Sequence, residues 1–414
     1  MSEPVHILGI GRTDFKRHFQ KEGKSLRHMI VEAGRAALED SGLQPGDIRA
    51  GVVGNFAAGL FTRQLHLGAF LTEIDPRLRG LPTFHTEAAC ASGGVAVVTA
   101  AQLIMGGIHE VVLVVGAEQQ KTMSPKQGAE VLGAAGDFQA ESSQFGDFMF
   151  PKLFGHIAQV YGERHRLAEE DLARVAVKSR AHARLNPLAQ MRDTPLTLSQ
   201  AMSESEDNPR VAAPLKVTDC SQITDGAAAV ILCSGRFAQR FAGRASVRLL
   251  GYGHTTDHLP LEKKDTPDFA VATQAAEQAY EMAGVKPDDL DGAEVHDCFS
   301  ISEIIAYEVL GFAARGQGTA LLASGATALT SARDLIASTR ASSAIRQRNL
   351  PVNAGGGLMG DGHPVGATGV RQVTDAYKQL RSTAGAYQID GAKRMLTFNM
   401  GGSFTTSVVM IWGS

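Results

Sequence analysis

Four short stretches of this chain carry residue types that can attack a carbonyl or move a proton. The first is Glu87-Ala-Ala-Cys90-Ala-Ser-Gly-Gly94, which runs into the small apolar segment Val95 to Ile104. That segment reads as a helix buried on most of its surface, so Cys90 falls at a helix mouth. Unpaired N–H groups and a partial positive charge at such a mouth favour a thiolate over a thiol. Ser92, Gly93 and Gly94 are expected to leave room for a substrate near the backbone. A lone cysteine in apolar company is more often a small core residue, so the neighbours must decide. The other three stretches are His296-Asp-Cys298-Phe-Ser300, Gly362-His363-Pro-Val-Gly366 and Asn399-Met-Gly401-Gly402-Ser403. Taken singly, each has a bland reading as a backbone-bonded histidine, a core cysteine or a tight turn.

The elements that must position these groups come as a duplicated unit. Val5 to Thr13 reads as a buried strand ending in a glycine turn, and a helix follows with Leu26, Ile30, Ala33 and Ala37 on one face. Ser25 can cap that helix, and Gly42 with Pro45 ends it. The order recurs 242 positions later, where Val247 to Thr255 repeats Val5 to Thr13 at Val, Leu, both Gly and Thr. Gly284, Pro287, Asp289 and Leu290 then fall at the shifts of Gly42, Pro45, Asp47 and Ile48. One gapless offset across strand, helix, stop and strand implies two related halves in one layered α/β structure. Each half opens a later helix with a reactive side chain, Cys90 in the first and His363 in the second. Residues 1–243 and 244–414 are the expected halves, and an insertion over about 119–210 in the first is expected to cover a cleft.

Composition excludes several classes of function. Of 414 residues, 44% are hydrophobic and 20% charged, as in a soluble globular enzyme. A formal net charge of −3 gives no reason to expect nucleic acid or a membrane surface as partner. The cysteines at 90, 220, 233 and 298 show no C-x-x-C pair, so neither a metal site nor a disulfide framework is expected. Cys220 and Cys233 are expected to be inert. No run approaches the ~20 apolar residues of a membrane span. Met1-Ser-Glu-Pro-Val-His is not a signal sequence and Ile411-Trp-Gly-Ser414 is not a peroxisomal address, so the expected location is the cytoplasm. No G-x-G-x-x-G lies between a strand and a helix with an acidic residue after it, so no dinucleotide site is expected.

Taken together, the four stretches resemble the thiolase family over most of the chain. Cys90 to Gly93 matches its C-x-S-G loop, Gly362 to Gly369 matches G-H-P-x-G-A-T-G in full, and Asp219 to Ala229 resembles its aspartate-glycine-alanine run. Common thiolases place a second cysteine in a C-x-G loop near the C-terminus, where this chain has Asn399-Met-Gly401. It carries instead His296-Asp-Cys298-Phe299, as the sterol-carrier-protein branch does where others have N-E-A-F. The loss and the gain together are what a relocated acid/base group looks like.

The resemblance implies a duplicated α-β-α-β-α fold and a C-acyltransferase of 3-ketoacyl-CoA. His363 would take the proton of Cys90, and the thiolate would attack the 3-keto carbon. His296 and His363 would form one oxyanion hole, and the backbone N–H groups of Cys90 and Gly401 a second. Cys298 would protonate the departing enolate and then deprotonate the incoming CoA. Asn399 and His156 are secondary candidates, the first for its place in the C-x-G loop and the second for its place in the covering insertion. Asp297 is expected to orient backbone rather than transfer protons. No cofactor is implied beyond coenzyme A as substrate. A homodimer or a dimer of dimers is the implied assembly. A ketosynthase-like enzyme with a non-CoA acceptor, or a subunit working with a small OB-fold partner, are the alternatives. One departure is the extra stretch Ser331 to Asn349, whose Arg340, Arg346 and Arg348 could meet a CoA phosphate.

Overall fold

The computed structural model describes residues 3–241, 246–338 and 349–414. The boundary at 243/244 and the three arginines at 340, 346 and 348 lie outside the described residues. Nine strands form one sheet in the order β3-β2-β4-β7-β1-β8-β11-β10-β9. They are β1 (Val5–Arg12), β2 (Ala50–Gly54), β3 (Thr83–Thr86), β4 (Val111–Glu118), β7 (Gly226–Ser234), β8 (Arg248–Thr256), β9 (Gly292–Glu294), β10 (Arg394–Gly401) and β11 (Thr406–Gly413). A separate two-stranded ribbon pairs β5 (Arg210–Ala212) with β6 (Leu215–Lys216).

The strand order is itself a duplication. β2-β4-β7-β1 on one side is mirrored by β9-β10-β11-β8 on the other, with β2 parallel to β4 as β9 is to β10. The two runs join through one residue pair, His6 of β1 with Arg248 of β8. The local signals behind this are those of the repeat. Helix α1 (Leu26–Ser41) has Ser25 at its N-cap and ends at Gly42, which takes the left-handed φ of 68°. Its counterpart α7 (Ala270–Ala283) ends at Gly284 with φ 65°.

The helices that follow Cys90 and His363 are α2 (Ser92–Met105) and α9 (Thr368–Leu380). They pack on each other and on strands of both halves, while α1 and α7 cover the far faces. Their N-terminal turns meet at glycines. A Cβ on Gly369 would lie 2.2 Å from the Gly94 nitrogen, and one on Gly93 would lie 2.8 Å from the Gly366 oxygen. The glycines after Cys90 therefore make room for the other central helix rather than for substrate, which corrects the expectation from sequence. Only residues without a side chain allow the two helix mouths, and hence Cys90 and His363, to approach so closely.

The insertion contributes α3 (Pro125–Gly133), α4 (Phe138–Phe145), α5 (Met149–His165) and α6 (Glu169–Ala183). α5 and α6 pack against α8 (Ser300–Val309), which begins just after His296-Asp-Cys298-Phe299, and α3 and α4 pack on α5. No described helix is long and apolar enough to cross a membrane.

Candidate active site

Cys90 sits in a turn of 3-10 helix, Ala89–Ala91, immediately before α2. The turn is wound tightly. Ala89 takes φ 51°, Ser92 Oγ donates to the Ala89 carbonyl at 2.6 Å, and the Ala88 N–H donates to Ser92 Oγ at 3.0 Å. Two backbone N–H groups face the sulfur, its own and that of Gly402. The amide is thus one residue beyond Gly401, whose carbonyl instead accepts the Thr405 N–H.

A helix mouth was expected to lower the thiol pKa, and the N–H groups do act in that direction but are outweighed. Burial, and then the carboxylate of Glu118, push Cys90 up to about 12 against those two N–H groups. Desolvation disfavours the anion more than a helix terminus favours it. The site therefore holds a neutral thiol.

His363 has its imidazole beside that thiol. Its N–H is held by Thr224 Oγ1 at 2.9 Å, and its Nδ1 lies 2.7 Å from Thr368 Oγ1. The Thr368 hydroxyl donates to the Pro364 carbonyl at 3.1 Å, so its oxygen accepts from His363 Nδ1–H. That leaves Nε2 with a free lone pair. Burial, and then the Arg371 guanidinium, lower His363 to about 3, so it is neutral at pH 7.

His296 has the opposite tautomer. The oxygen of the Asn399 amide accepts the Gly94 N–H at 3.0 Å, and its nitrogen reaches the Cys90 carbonyl at 3.0 Å and His296 Nδ1 at 3.2 Å. His296 Nδ1 must then accept, which places its proton on Nε2. That Nε2 is buried and has no partner among the described residues. Burial and the nearby His363 keep the ring neutral. Asn399, a secondary candidate from sequence, thus bridges the Cys90 turn and His296.

The Cys90 sulfur and one ring nitrogen from each of His296 and His363 lie within 4.8 Å of one another, and the imidazoles meet edge to face with centroids 5.1 Å apart. Three such groups could hold a soft metal ion by spacing alone. Ligation through His296 Nε2 would require the lone pair that the Asn399 contact fills with a proton, so the arrangement suits thiol chemistry better.

Cys298 lines the same cavity of about 190 Å³ as Cys90, His363 and Gly402. Its sulfur lies 3.6 Å from Ser302 Oγ, and burial and proximity to Cys90 raise its pKa well above the usual thiol value. It rests as a neutral thiol, able to give a proton before it can take one. Cys220 also lines this cavity, with its thiol donating to the Lys216 carbonyl at 3.4 Å, whereas Cys233 is buried in β7. The rest of the cavity is largely apolar, with Leu132, Phe148 and Phe150 from the insertion facing Phe299. His156 lies elsewhere: it is exposed on α5 and lines a separate cavity with Glu141 and Lys264.

Buried charges behind the site hold its loops. The Lys178 ammonium pairs with Glu303, which also accepts from Tyr307 and from Asn353 at 2.9 Å, and Asn353 Oδ1 accepts the Val295 N–H at 2.8 Å. Asp297 accepts the Leu358 N–H at 2.6 Å and so orients backbone, as its sequence context suggested. Glu118, which sequence reasoning missed, accepts from Phe56 at 3.0 Å, Asn55 at 2.9 Å and Gly366 at 3.1 Å, tying the loop after β2 to the turn after His363. Its one sequence signal was its place at the end of a buried strand that precedes the insertion.

Comparison with known proteins agrees with this geometry. Residues 5–236 match the thiolase N-terminal domain, and residues 253–414 match the thiolase C-terminal domain-like family. An acetyl-CoA acetyltransferase of Methanothermobacter thermautotrophicus is 34% identical over 99% of this chain and 99% of its own length. Sterol carrier protein 2 of Homo sapiens is 30% identical over 96% of this chain and 70% of its own length. Among solved structures, an Ltp2-ChsH2(DUF35) aldolase superposes with a TM-score of 0.78 at 23% identity, covering 99% of this chain and 98% of its own. The chain belongs to the thiolase family, in the branch that includes the sterol-carrier-protein thiolases.

Proposed function

We propose that this chain is an acyl-CoA C-acyltransferase that cleaves 3-ketoacyl-CoA with CoA, or condenses acyl-CoA units in reverse, through an acyl-Cys90 intermediate. The observation that carries this reading is the opposed protonation of two histidines around one thiol. His363 Nε2 takes the Cys90 proton as the sulfur attacks the 3-keto carbon. It then holds a proton on each nitrogen, so His363 and His296 both present Nε2–H groups to the thioester oxygen of the departing enolate. The neutral Cys298 thiol protonates the enolate carbon, and its thiolate then deprotonates the incoming CoA. The N–H groups of Cys90 and Gly402 receive the oxyanion of each tetrahedral intermediate at the acyl group. Coenzyme A enters as a substrate, and no resident cofactor is needed.

Intact-protein mass after mixing with acetoacetyl-CoA and with longer 3-ketoacyl-CoA tests this. Wild type should gain the acyl mass and lose it on addition of CoA, Cys90→Ala should gain none, and Cys298→Ala should block turnover. An unmodified wild type across the substrate series overturns the reading.

Three further expectations belong to the same proposal. Pairing of two copies is supported by β3, an edge strand whose Phe84 is 41% exposed, and sedimentation at micromolar concentration tests it. A cytoplasmic location is supported by four free cysteines. The division into halves at 243/244 is supported by the mirrored strand order. A ketosynthase-like role with a non-CoA acceptor has less support, because it leaves Cys298 without a task. A role beside a small OB-fold partner rests on the likeness of shape to the Ltp2-ChsH2(DUF35) aldolase, and co-purification of a second small chain would favour it.

A further inference from the structure

The amide of Gly402 faces the Cys90 sulfur from just beyond the end of β10. It lies in the turn that joins β10 to β11, closed by the Gly401 and Thr406 pair. Gly402 takes φ 64° and Phe404 takes φ 60°, and left-handed backbone at a non-glycine residue persists only where its surroundings impose it. Two things impose it here. Phe404 stacks on Phe269 at a centroid distance of 4.1 Å, and the Lys264 ammonium enters the turn from the connection between β8 and α7.

All three Lys264 protons are spent on this turn. Lys264 Nζ donates to the Ser403 carbonyl at 2.7 Å, to Ser403 Oγ at 2.9 Å and to Thr405 Oγ1 at 2.7 Å. The ammonium is buried, and these hydrogen bonds run to one carbonyl and two hydroxyls rather than to a carboxylate. A buried cation is costly unless hydrogen bonds compensate it, as these three do. Here one contact falls on the carbonyl of Ser403, the residue directly after Gly402.

We propose that Lys264 is a positioning residue for the thiol chemistry, its ammonium fixing the Gly402-Ser403-Phe404-Thr405 turn so that the Gly402 N–H is aimed at the Cys90 sulfur and at the oxyanion formed on its acyl group. The charged and titratable groups around it are Glu141 from α4, Asp257 after β8, Glu262 in its own turn and His156 from α5. Burial lowers Lys264 to about 8, while Glu141 and Asp257 act the other way. Loss of the ammonium proton above that pH removes one donor from the turn and loosens the amide. The turnover part of this inference rests on the acyltransferase reading, while the effect on the Cys90 thiol does not.

The test uses the full chain with Lys264→Met, and with Thr405→Val as a milder second variant that removes one acceptor. Two readouts are taken on protein that melts cooperatively. The first is the rate of Cys90 alkylation by iodoacetamide at pH 9, located by peptide mass. The second is the split of kcat from KM with a 3-ketoacyl-CoA across pH 6 to 10. Losing one aimed oxyanion donor costs roughly 10²- to 10³-fold in kcat when complete. The expected result for Lys264→Met is a several-fold slower alkylation, a kcat lowered at least tenfold with KM within about twofold, and loss of the wild-type decline in kcat above pH 8. Thr405→Val should shift both readouts in the same direction by less, and decides the matter if Lys264→Met fails to fold. Wild-type alkylation and turnover in folded variants overturn the proposal. If wild type transfers no acyl group, the acyltransferase reading falls and the alkylation rate alone decides the role of Lys264.

Discussion

The side-chain nitrogen of Asn399 lies 3.2 Å from His296 Nδ1, and its oxygen holds the Gly94 N–H at 3.0 Å. Because the second contact prevents the amide from turning round, the first dictates which nitrogen of His296 carries the proton. Asn399→Asp would replace the donor with an acceptor and draw a proton onto Nδ1. The expected outcome is a fall in kcat of about 10²-fold with a small change in KM, as for loss of one oxyanion donor. A ¹⁵N spectrum of labelled histidine should show the proton moved to Nδ1, and an unchanged spectrum would refute the assignment.

His363 depends on Thr368 in the same way. Thr368→Val keeps the shape and removes the acceptor for Nδ1–H. Acylation of Cys90 in a single turnover should slow by about 10- to 100-fold, within the span of general-base effects. Discharge of a preformed acyl-enzyme by CoA should change less, because Cys298 serves that step.

Glu118 gives a stability signature. Burial raises its pKa from 4.5 to about 7. Between those values the unfolded chain has released a proton that the folded chain keeps, so stability falls as pH rises through this window, by up to about 3 kcal/mol. Urea unfolding at pH 5 and at pH 7.5 should show this loss in wild type and a smaller one in Glu118→Gln. Equal slopes would show that the carboxylate is already ionised at pH 5.

The pair of Lys178 and Glu303 is fully buried. Lys178→Met leaves the Glu303 carboxylate without its cation and should cost about 3–5 kcal/mol in urea unfolding. Adding Glu303→Gln should recover part of that loss. Additive effects of the two changes would mean that the pair is not coupled.

The crossing of the two central helices is the most sensitive point of the fold. A Cβ on Gly369 would lie 2.2 Å from both the Gly94 nitrogen and Asn399 Oδ1. Gly369→Ala should lower stability by at least about 2 kcal/mol, since neither backbone nor a doubly bonded amide can yield. A thermal melt of the purified variant checks this, and an unchanged melting temperature would refute the close crossing.

Much of the fold was legible because its signals are local. Ser25 and Gly42 bound α1, and the same cap and turn recur at Gly284 and Pro287, so the duplication could be read from spacing. The mirrored strand order then follows from two copies of one unit. The candidate site was legible in membership: Cys90, His296, Cys298 and His363 do converge. His156 does not join them, because a helical position in the covering insertion says nothing about which face turns inward.

The sequence by itself determined the residue types, the helix mouths, the repeat and the family they resemble, since these depend on neighbours within a few positions or on a fixed offset. Only the tertiary structure decided that Gly93 and Gly369 accommodate a helix, that the Gly402 amide lies beside Cys90, that Glu118 ties the loop after β2 to the turn after His363, and that Lys264 enters the turn after β10. It also reversed the expected thiol pKa. Desolvation and contacts between residues hundreds of positions apart are properties of the packed interior, and no local pattern of residues encodes them.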